Sequence, residues 1–448
     1  MPDAANATSP VAPAQRIQAI DVCRGFALLG ILLVNIQFFG EPFGSWMHWD
    51  HSDEPLLDRS LHWFTTVFCE GKFYPLFSML FGMGLALQFG RAGPGAGGFT
   101  ARYLRRIGLL LLMGLAHALL MWYGDILFLY SFCAFALLMC IRARARTLLI
   151  IACVIVGISA PLMGGFSMLN AFKPETPAAE TASAEATPVD EVDAASAEAA
   201  PEQTPLQELF AGFERYGSNA SPDQAWWMAA EERAYRDGPW LQSFGFRAMS
   251  WAFIMLISLF GFGWHAMAMF FLGAALLKMG LFEERRRPWA ARFVMVGGFV
   301  GLPMVIASLW ARDHAPQLLG LFVWGATPPI AGPLMSLGYM GAIILLVGRA
   351  RGAGRVIAGA IANAGRMALT NYLLQTTIAT FIFYHWGLAM FGQTTHAERV
   401  GLALAIWTAE VAVSSVWLRV FRFGPMEWLW RTGTYLRLQP MLRRAGDA

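Results

Sequence analysis

Long apolar runs separated by short polar breaks set the pattern of this chain. A bilayer core about 30 Å thick takes roughly 20 apolar residues of helix. Runs of that kind recur at about ten places: 23–40, 64–90, 104–122, 126–141, 147–169, 248–277, 291–310, 326–348, 366–387 and 399–418. The pattern predicts an all-α fold, a polytopic transmembrane helical bundle. The apolar stretch 247–282 is long for a single crossing, and Gly261 and Gly263 mark its weak point.

The polar breaks orient the bundle. If the N-terminus is cytoplasmic, the even-numbered loops face the same side. Those loops carry Arg91, Arg102, Arg105 and Arg106, then Arg142, Arg144 and Arg146, then Lys278 with Arg285, Arg286 and Arg287, then Arg349, Arg351 and Arg355. The C-terminal segment adds Arg419, Arg422, Arg431, Arg437, Arg443 and Arg444. Basic residues gathered on one side predict that both termini are cytoplasmic. The chain then divides into a polar N-terminal tail (1–15), an N-terminal transmembrane bundle (16–169), an outer insertion (170–245), a C-terminal transmembrane bundle (246–420) and a basic cytoplasmic tail (421–448). Residues 171–205 are acidic and of low complexity and predict disorder. The rest of the insertion holds Trp226, Trp227, Tyr235 and Trp240, which suit one or two short helices on the membrane. A tolerated loop is the simplest reading of the insertion as a whole.

Composition agrees. Of 448 residues, 56% are hydrophobic and 14% charged, with a mean hydropathy of +0.48. A soluble domain carries roughly 25% charge, so these charges are too few to cover a soluble surface. The basic residues read as topology anchors, which leaves no nucleic-acid surface. The five cysteines lie in or beside apolar runs and form neither a disulfide framework nor a zinc pattern. No cleavage site follows the first apolar run, so it reads as an uncleaved membrane helix.

Polar groups inside apolar spans are costly and tend to face a cavity or a partner. Asp21 and Arg24, three residues apart, share a helix face at the inner mouth of the first span, and Asn35 lies about three turns further on. The loop that follows holds His48, Asp50, His51 and Asp53 among tryptophans. Its His48-x-Asp50-His51 spacing is not a standard zinc pattern, so no metal is expected. Glu70 and Lys72 sit near a turn made by Gly71 and Pro75, and Gly82 and Gly84 allow close helix approach. His117 and Asp125 frame the outer end of the third span, where a carboxylate can orient an imidazole. Arg366, Thr370, Asn371 and Gln375 form a polar stripe at the start of the ninth span, and His385 and Trp386 close its outer end. Nucleotide-binding and nucleophile-elbow motifs are missing.

Taken in order, Asp21-Val22-Cys23-Arg24-Gly25 with Leu28 to Asn35, Lys72-Phe73 with Phe77-Ser78-Met79-Leu80-Phe81-Gly82, Gly124-Asp125-Ile126-Leu127, Gly365-Arg366-Met367-Ala368-Leu369-Thr370-Asn371-Tyr372 and Phe423-Gly424-Pro425-Met426-Glu427-Trp428 resemble the YeiB-like family of bacterial inner-membrane proteins. The opening motif also resembles the broader transmembrane acyltransferase group, which includes heparan-α-glucosaminide N-acetyltransferase. That resemblance implies transfer of an acyl group from cytoplasmic acyl-CoA to a small-molecule or envelope-glycan acceptor on the other face. It assigns Asp21, Arg24, Gly25 and Asn35 to the group's motif, with His48 or His51 as its loop histidine. In that reading the loop histidine is the base, Asn35 holds the carbonyl oxygen, and Asp125 acts through His117. Arg24, Arg105 and Arg106 hold the CoA phosphates. The competing expectation is a transporter in which Glu70, Lys72, Arg366, Thr370, Asn371 and Gln375 line a substrate path.

Overall fold

The structure is a computed structural model that describes residues 17–43, 45, 54–92, 98–168, 224–258 and 261–443. Among the described residues the chain is helical, and its one strand-like pairing is a bridge between Phe421 and Leu442. The first half comprises α1 (Gln18–Gly40), α2 (Leu56–Phe68), α3 (Phe73–Ala92), α4 (Phe99–Leu120), α5 (Leu127–Cys140) and α6 (Ala145–Met168). The second half comprises α7 (Gln224–Arg236), α8 (Trp240–Ser258), α9 (Phe262–Lys278), α10 (Arg287–Val296), α11 (Leu302–His314), α12 (Gln317–Ala326) and α13 (Pro328–Arg349). It ends with α14 (Ala353–Arg366), α15 (Ala368–Phe383), α16 (His396–Val420) and α17 (Pro425–Tyr435).

Among the described residues, seven helical stretches are long and apolar enough to cross a membrane, and the pair α8–α9, bent by 63°, makes an eighth. That bend falls at the weak point predicted beside Gly261. The other two expected spans are α5, with 14 residues, and α15, with 16. At 1.5 Å per residue they reach about 21 and 24 Å, short of the bilayer core. A short helix leaves backbone ends inside protein, where they need partners. Here side chains supply them. Asp125 Oδ1 accepts the Phe128 N–H at 2.7 Å at the start of α5. Glu427 Oε1 accepts the N–H groups of Leu369 and Thr370 at the start of α15. Arg366 therefore closes α14 and does not open a span, because the chain breaks at Met367.

Two close crossings hold the halves together. A Cβ on Gly82 would strike the Phe270 carbonyl, and one on Gly273 would strike the Met79 carbonyl, so α3 and α9 meet backbone to backbone. Gly25 and Gly365 do the same for α1 and α14. Leu112, Met139, Ile158, Phe299 and Leu346 are among the large apolar side chains left exposed, as a lipid-facing surface requires.

The two ends of the bundle stay distinct. Lys278 donates to the Ile141 and Ala143 carbonyls, and Trp430 donates to the Arg106 carbonyl. Lys278, Arg106 and the C-terminal segment belong to the side that the charge pattern predicts to be cytoplasmic. At the other end Glu231 accepts the Phe43 N–H, Asp58 accepts the Ala397 N–H, and Arg399 pairs with Glu41. Within the segment 421–448, expected as a basic cytoplasmic tail, Pro425–Tyr435 forms α17, which packs against α4 and α15.

Candidate functional site

α4 carries His117 into the bundle. The helix ends at Leu120, and the link 121–126 folds Asp125 back onto the imidazole. Asp125 Oδ2 lies 2.8 Å from His117 Nδ1. A carboxylate can only accept, so the ring proton sits on Nδ1. Nε2 is then the acceptor for the Thr376 hydroxyl, 2.9 Å away. The competing acceptor for that hydroxyl, the Tyr372 carbonyl, is farther, at 3.3 Å. His117, Asp125 and Thr376 are 3%, 3% and 1% exposed, so water does not compete for these bonds. The chain runs Asp–His–hydroxyl and joins the N-terminal half to α15. Such an arrangement lets the imidazole take a hydroxyl proton while the carboxylate holds its tautomer.

A different histidine shows the alternative. His265 Nε2 donates to the Pro329 carbonyl at 2.9 Å and Nδ1 accepts from Tyr74 at 2.8 Å. One of its partners is a backbone carbonyl and no carboxylate orients it, so it ties helices together.

Nearer the outer end lies a second constellation. It is built from the 121–126 link, α7, α8 and the turn after α15. Tyr123, Glu231, Tyr235, Arg247 and Tyr384 are all buried. Tyr123 Oη, Glu231 Oε1, Tyr235 Oη, Arg247 Nη2, Tyr384 Oη and Trp122 Nε1 have no hydrogen-bond partner among the described residues. The groups are neighbours. The Tyr235 and Tyr384 rings stack with centroids 4.6 Å apart, and Tyr235 also feels the charges of Glu231 and Arg247. Tyr123 feels Glu231 and Tyr384. Phe43 links Glu231, through its N–H at 3.1 Å, to Tyr123, whose ring lies 6.4 Å from its own. Burial pushes the Glu231 carboxyl up to about 8, against the Phe43 N–H, which favours the charged form. Burial likewise pushes the Tyr235 and Tyr123 hydroxyls well above their ordinary value. Thr376 and Tyr384 are eight residues apart, so the Tyr384 side of this cluster lies about 12 Å along α15 from the Asp–His–Thr chain.

The residues singled out by sequence separate in space. His117 and Asp125 meet. Asn35 is half-buried on α1, and no side chain among the described residues bonds to it. His48 and His51 lie outside the described residues. Arg24 pairs with Asp21 at 2.9 Å. Arg105 donates to the Thr434 carbonyl at 3.1 Å, and the Arg106 guanidinium lies 3.5 Å over the Trp430 ring. Arg24 and Arg431 still bear on Arg106 electrostatically, so the inner end concentrates positive charge. Glu70 and Lys72 sit at the α2–α3 break. Lys72 donates to the Thr66 carbonyl at 2.7 Å, and Glu70 accepts from Thr66. Arg366 donates to Asn363. The stripe on α15 faces the interior as expected and finds helix partners there. Thr370 bonds Glu427 at 2.5 Å, Asn371 bonds Ser414 at 3.0 Å and the Ala364 carbonyl at 3.1 Å, and Gln375 bonds Glu410 at 2.7 Å.

The residues that sequence reasoning missed are Thr376, Glu231, Arg247 and Tyr384. Thr376 adjoins the stripe and looks like any helix-interior threonine. Glu231 and Arg247 fall in or beside the insertion, where charges are ordinary. The available signals were the aromatic cluster around Tyr235 and an arginine at the mouth of an apolar run.

These features define a multi-pass helical membrane protein with a buried Asp–His–Thr chain and a cluster of buried, unpartnered polar groups near one face. Comparison with known proteins places it. Residues 276–437 match the family described as "Protein of unknown function (DUF418)". The chain is 31% identical to "Uncharacterized protein YeiB" of Escherichia coli (strain K12), over 97% of this chain and 98% of that protein. It is 30% identical to "Uncharacterized protein YxaH" of Bacillus subtilis (strain 168), with the same coverage. The chain belongs to this YeiB-like family of unknown function. No solved structure matches it.

Proposed function

We propose that this protein is an acyltransferase of the bacterial inner membrane, moving an acyl group from cytoplasmic acyl-CoA to an acceptor that enters from the outer face. The Asp125–His117–Thr376 chain carries this reading. His117 Nε2 is placed to take a proton from a hydroxyl or amine while Asp125 stabilises the imidazolium. The new acyl–oxygen or acyl–nitrogen bond forms as the thioester C–S bond breaks, and the proton passes to the departing thiolate. The positive charge of Arg24, Arg106 and Arg431 at the inner end suits the phosphates of the donor, as guanidinium groups do. Arg105 and Arg106 are already engaged by α17, so in this reading they contribute charge more than direct bonds. His48 or His51 would serve at the outer mouth.

The test is thiol release from acetyl-CoA by vesicles holding the full chain, with envelope extract as acceptor and mass spectrometry of the product. Asp125→Asn keeps an acceptor for the Phe128 N–H but reverses the imidazole tautomer, so transfer should fall more than about 100-fold with little change in thermal stability. Full transfer by Asp125→Asn or His117→Ala overturns the assignment.

One observation favours a second reading, a proton-coupled transporter. Glu410 is buried in α16, Gln375 holds one carboxyl oxygen, and the other has no partner among the described residues. Intramembrane carboxyls of this kind often relay protons. A carrier moves an unmodified solute in CoA-free vesicles under a pH gradient, and Glu410→Gln should stop it.

A further inference from the structure

Six of the buried side-chain atoms without a partner among the described residues gather in the outer cluster, while others, among them Gln37 Nε2, Glu410 Oε1 and Thr432 Oγ1, lie elsewhere. Buried polar groups in folded proteins are nearly always paired, and each exception costs about 1–3 kcal/mol. Here six unpartnered polar atoms come from four separate elements and converge on one region. Their chemistry is one-sided. Arg247 Nη2 and Trp122 Nε1 can only donate, and the three tyrosine hydroxyls can donate. Glu231 is the exception when ionised, but burial raises its carboxyl to about 8, so at neutral pH it too carries a proton to give. The cluster therefore offers donors and one guanidinium charge to a ligand.

We infer that this cluster binds the phosphate group of a ligand that approaches from the outer side. Phosphate fits better than carboxylate because of how Arg247 is held. Its Nε donates to the Leu119 carbonyl at 3.2 Å and its Nη1 to Ser243 at 3.3 Å. Nε and one N–H of Nη1 are taken, which closes the side-on fork of Nε with Nη2 that grips a planar carboxylate and leaves both N–H groups of Nη2 and the second of Nη1. These donors, joined by hydroxyls from the link, α7 and the end of α15, suit a tetrahedral oxyanion with acceptors on several sides. Trp240 and Trp386 flank Arg247 at 5.7 and 5.4 Å. Both indoles are substantially exposed, at the level where tryptophans mark the membrane–water interface. A phosphate can thus come from a lipid headgroup of the outer leaflet or from a soluble phosphoester. The site stands whether or not its ligand is the acyl acceptor, so loss of phosphate binding and loss of acyl transfer are separate outcomes.

The experiment uses the full chain in detergent. Thermal unfolding is followed against inorganic phosphate, with sodium acetate and sodium chloride at equal ionic strength, and in parallel in nanodiscs of phosphatidylglycerol or of an uncharged glycolipid. Phosphate should raise the unfolding temperature where chloride and acetate do not. Arg247→Gln should weaken phosphate by more than about tenfold, as loss of a charged hydrogen bond implies. The double variant Tyr235→Phe with Tyr384→Phe removes only unbonded hydroxyls, so it keeps its fold and should weaken phosphate by about tenfold. Stabilisation by phosphatidylglycerol alone, lost in the same variants, identifies the headgroup as the source. Equal stabilisation by acetate overturns the proposal. So does a phosphate effect unchanged in the double tyrosine variant, or the absence of any effect of phosphate and phosphatidylglycerol on the wild-type chain.

Discussion

The inner and outer ends of this bundle carry similar side chains and use them in opposite ways. At the inner end most of the polar groups described above are matched, while Arg286 Nε and Thr432 Oγ1 have no partner among the described residues. Asp21 pairs with Arg24, Arg105 finds the Thr434 carbonyl, Arg106 lies on Trp430, and Glu427 takes three hydrogen bonds at the start of α15. At the outer end Arg247, Glu231 and three tyrosines are more deeply buried, yet each keeps an unpartnered atom. Folding free energy favours pairing everywhere. An end that pairs its groups is held by them. An end that leaves them open bears a stability cost in the empty protein, and such costs collect at functional sites. The Asp125–His117–Thr376 chain lies between the two, fully bonded but made of groups that can exchange a proton.

The largest effect should come from undoing the matched end. Glu427→Ala strips the Leu369 and Thr370 N–H groups and the Thr370 hydroxyl of their common acceptor. It leaves α15 uncapped at a break the fold requires. Loss of these charge-assisted bonds should cost about 2–3 kcal/mol, a drop of several degrees in the unfolding temperature of the purified protein. Glu427→Gln retains an acceptor and should recover about half of that. An alanine variant as stable as the wild type would show that the inner end is not held as described.

Much of this was legible in the sequence, and the rest was hidden for physical reasons. The apolar runs gave the helices because lipid admits no other backbone arrangement for them. The pairing of His117 with Asp125 was legible because both are costly in an apolar setting and close in sequence. The break at Gly261 was legible from its glycines. The ends of α5 and α15 were not. Both are set by side chains that cap backbone, Asp125 locally and Glu427 from 57 residues or more away. The polar stripe on α15 was seen, but its partners Ser414 and Glu410 belong to another helix and carry no mark in one-dimensional order. The outer cluster was hidden most thoroughly. Tyr123, Glu231, Arg247 and Tyr384 are far apart in the chain, and only the packing of α7 onto the bundle brings them together.

A smaller effect tests the open end through pH. Glu231 has a folded carboxyl near 8 against an ordinary 4.5, chiefly from burial. Between those values the folded state holds a proton that the unfolded chain has released. Stability therefore falls as pH rises from about 4.5 to about 8 and levels off beyond. The groups that face Glu231 are the Phe43 N–H and the Tyr123, Tyr235 and Tyr384 hydroxyls. The tyrosines are pushed upward from 10 and stay neutral across this window. Arg247 also bears on Tyr235 and Tyr384. Burial holds His385 below its ordinary value in wild type and variant alike. Glu231→Gln should remove the decline, so its advantage in unfolding temperature should grow from pH 5 to pH 8. Parallel curves for the two proteins would mean that Glu231 is ionised in the fold.

The smallest effect is also the sharpest contrast. Tyr384→Phe deletes a buried hydroxyl, which in a matched site costs about 1–2 kcal/mol because its partner is left stranded. Among the described residues the Tyr384 hydroxyl has no partner to strand, and the ring keeps its stacking on Tyr235 and its edge contact with Trp386 at 5.0 Å. Removing it also relieves the desolvation of an unbonded polar atom. The variant should therefore unfold within about 0.5 kcal/mol of the wild type, or slightly above it, when phosphate is absent. Thr370→Val at the inner end also deletes one hydroxyl from α15, but it breaks the 2.5 Å bond to Glu427 and should be clearly destabilising. Equal losses from the two substitutions, read by the same thermal or denaturant unfolding, would show that the Tyr384 hydroxyl is bonded after all and that the two ends do not differ.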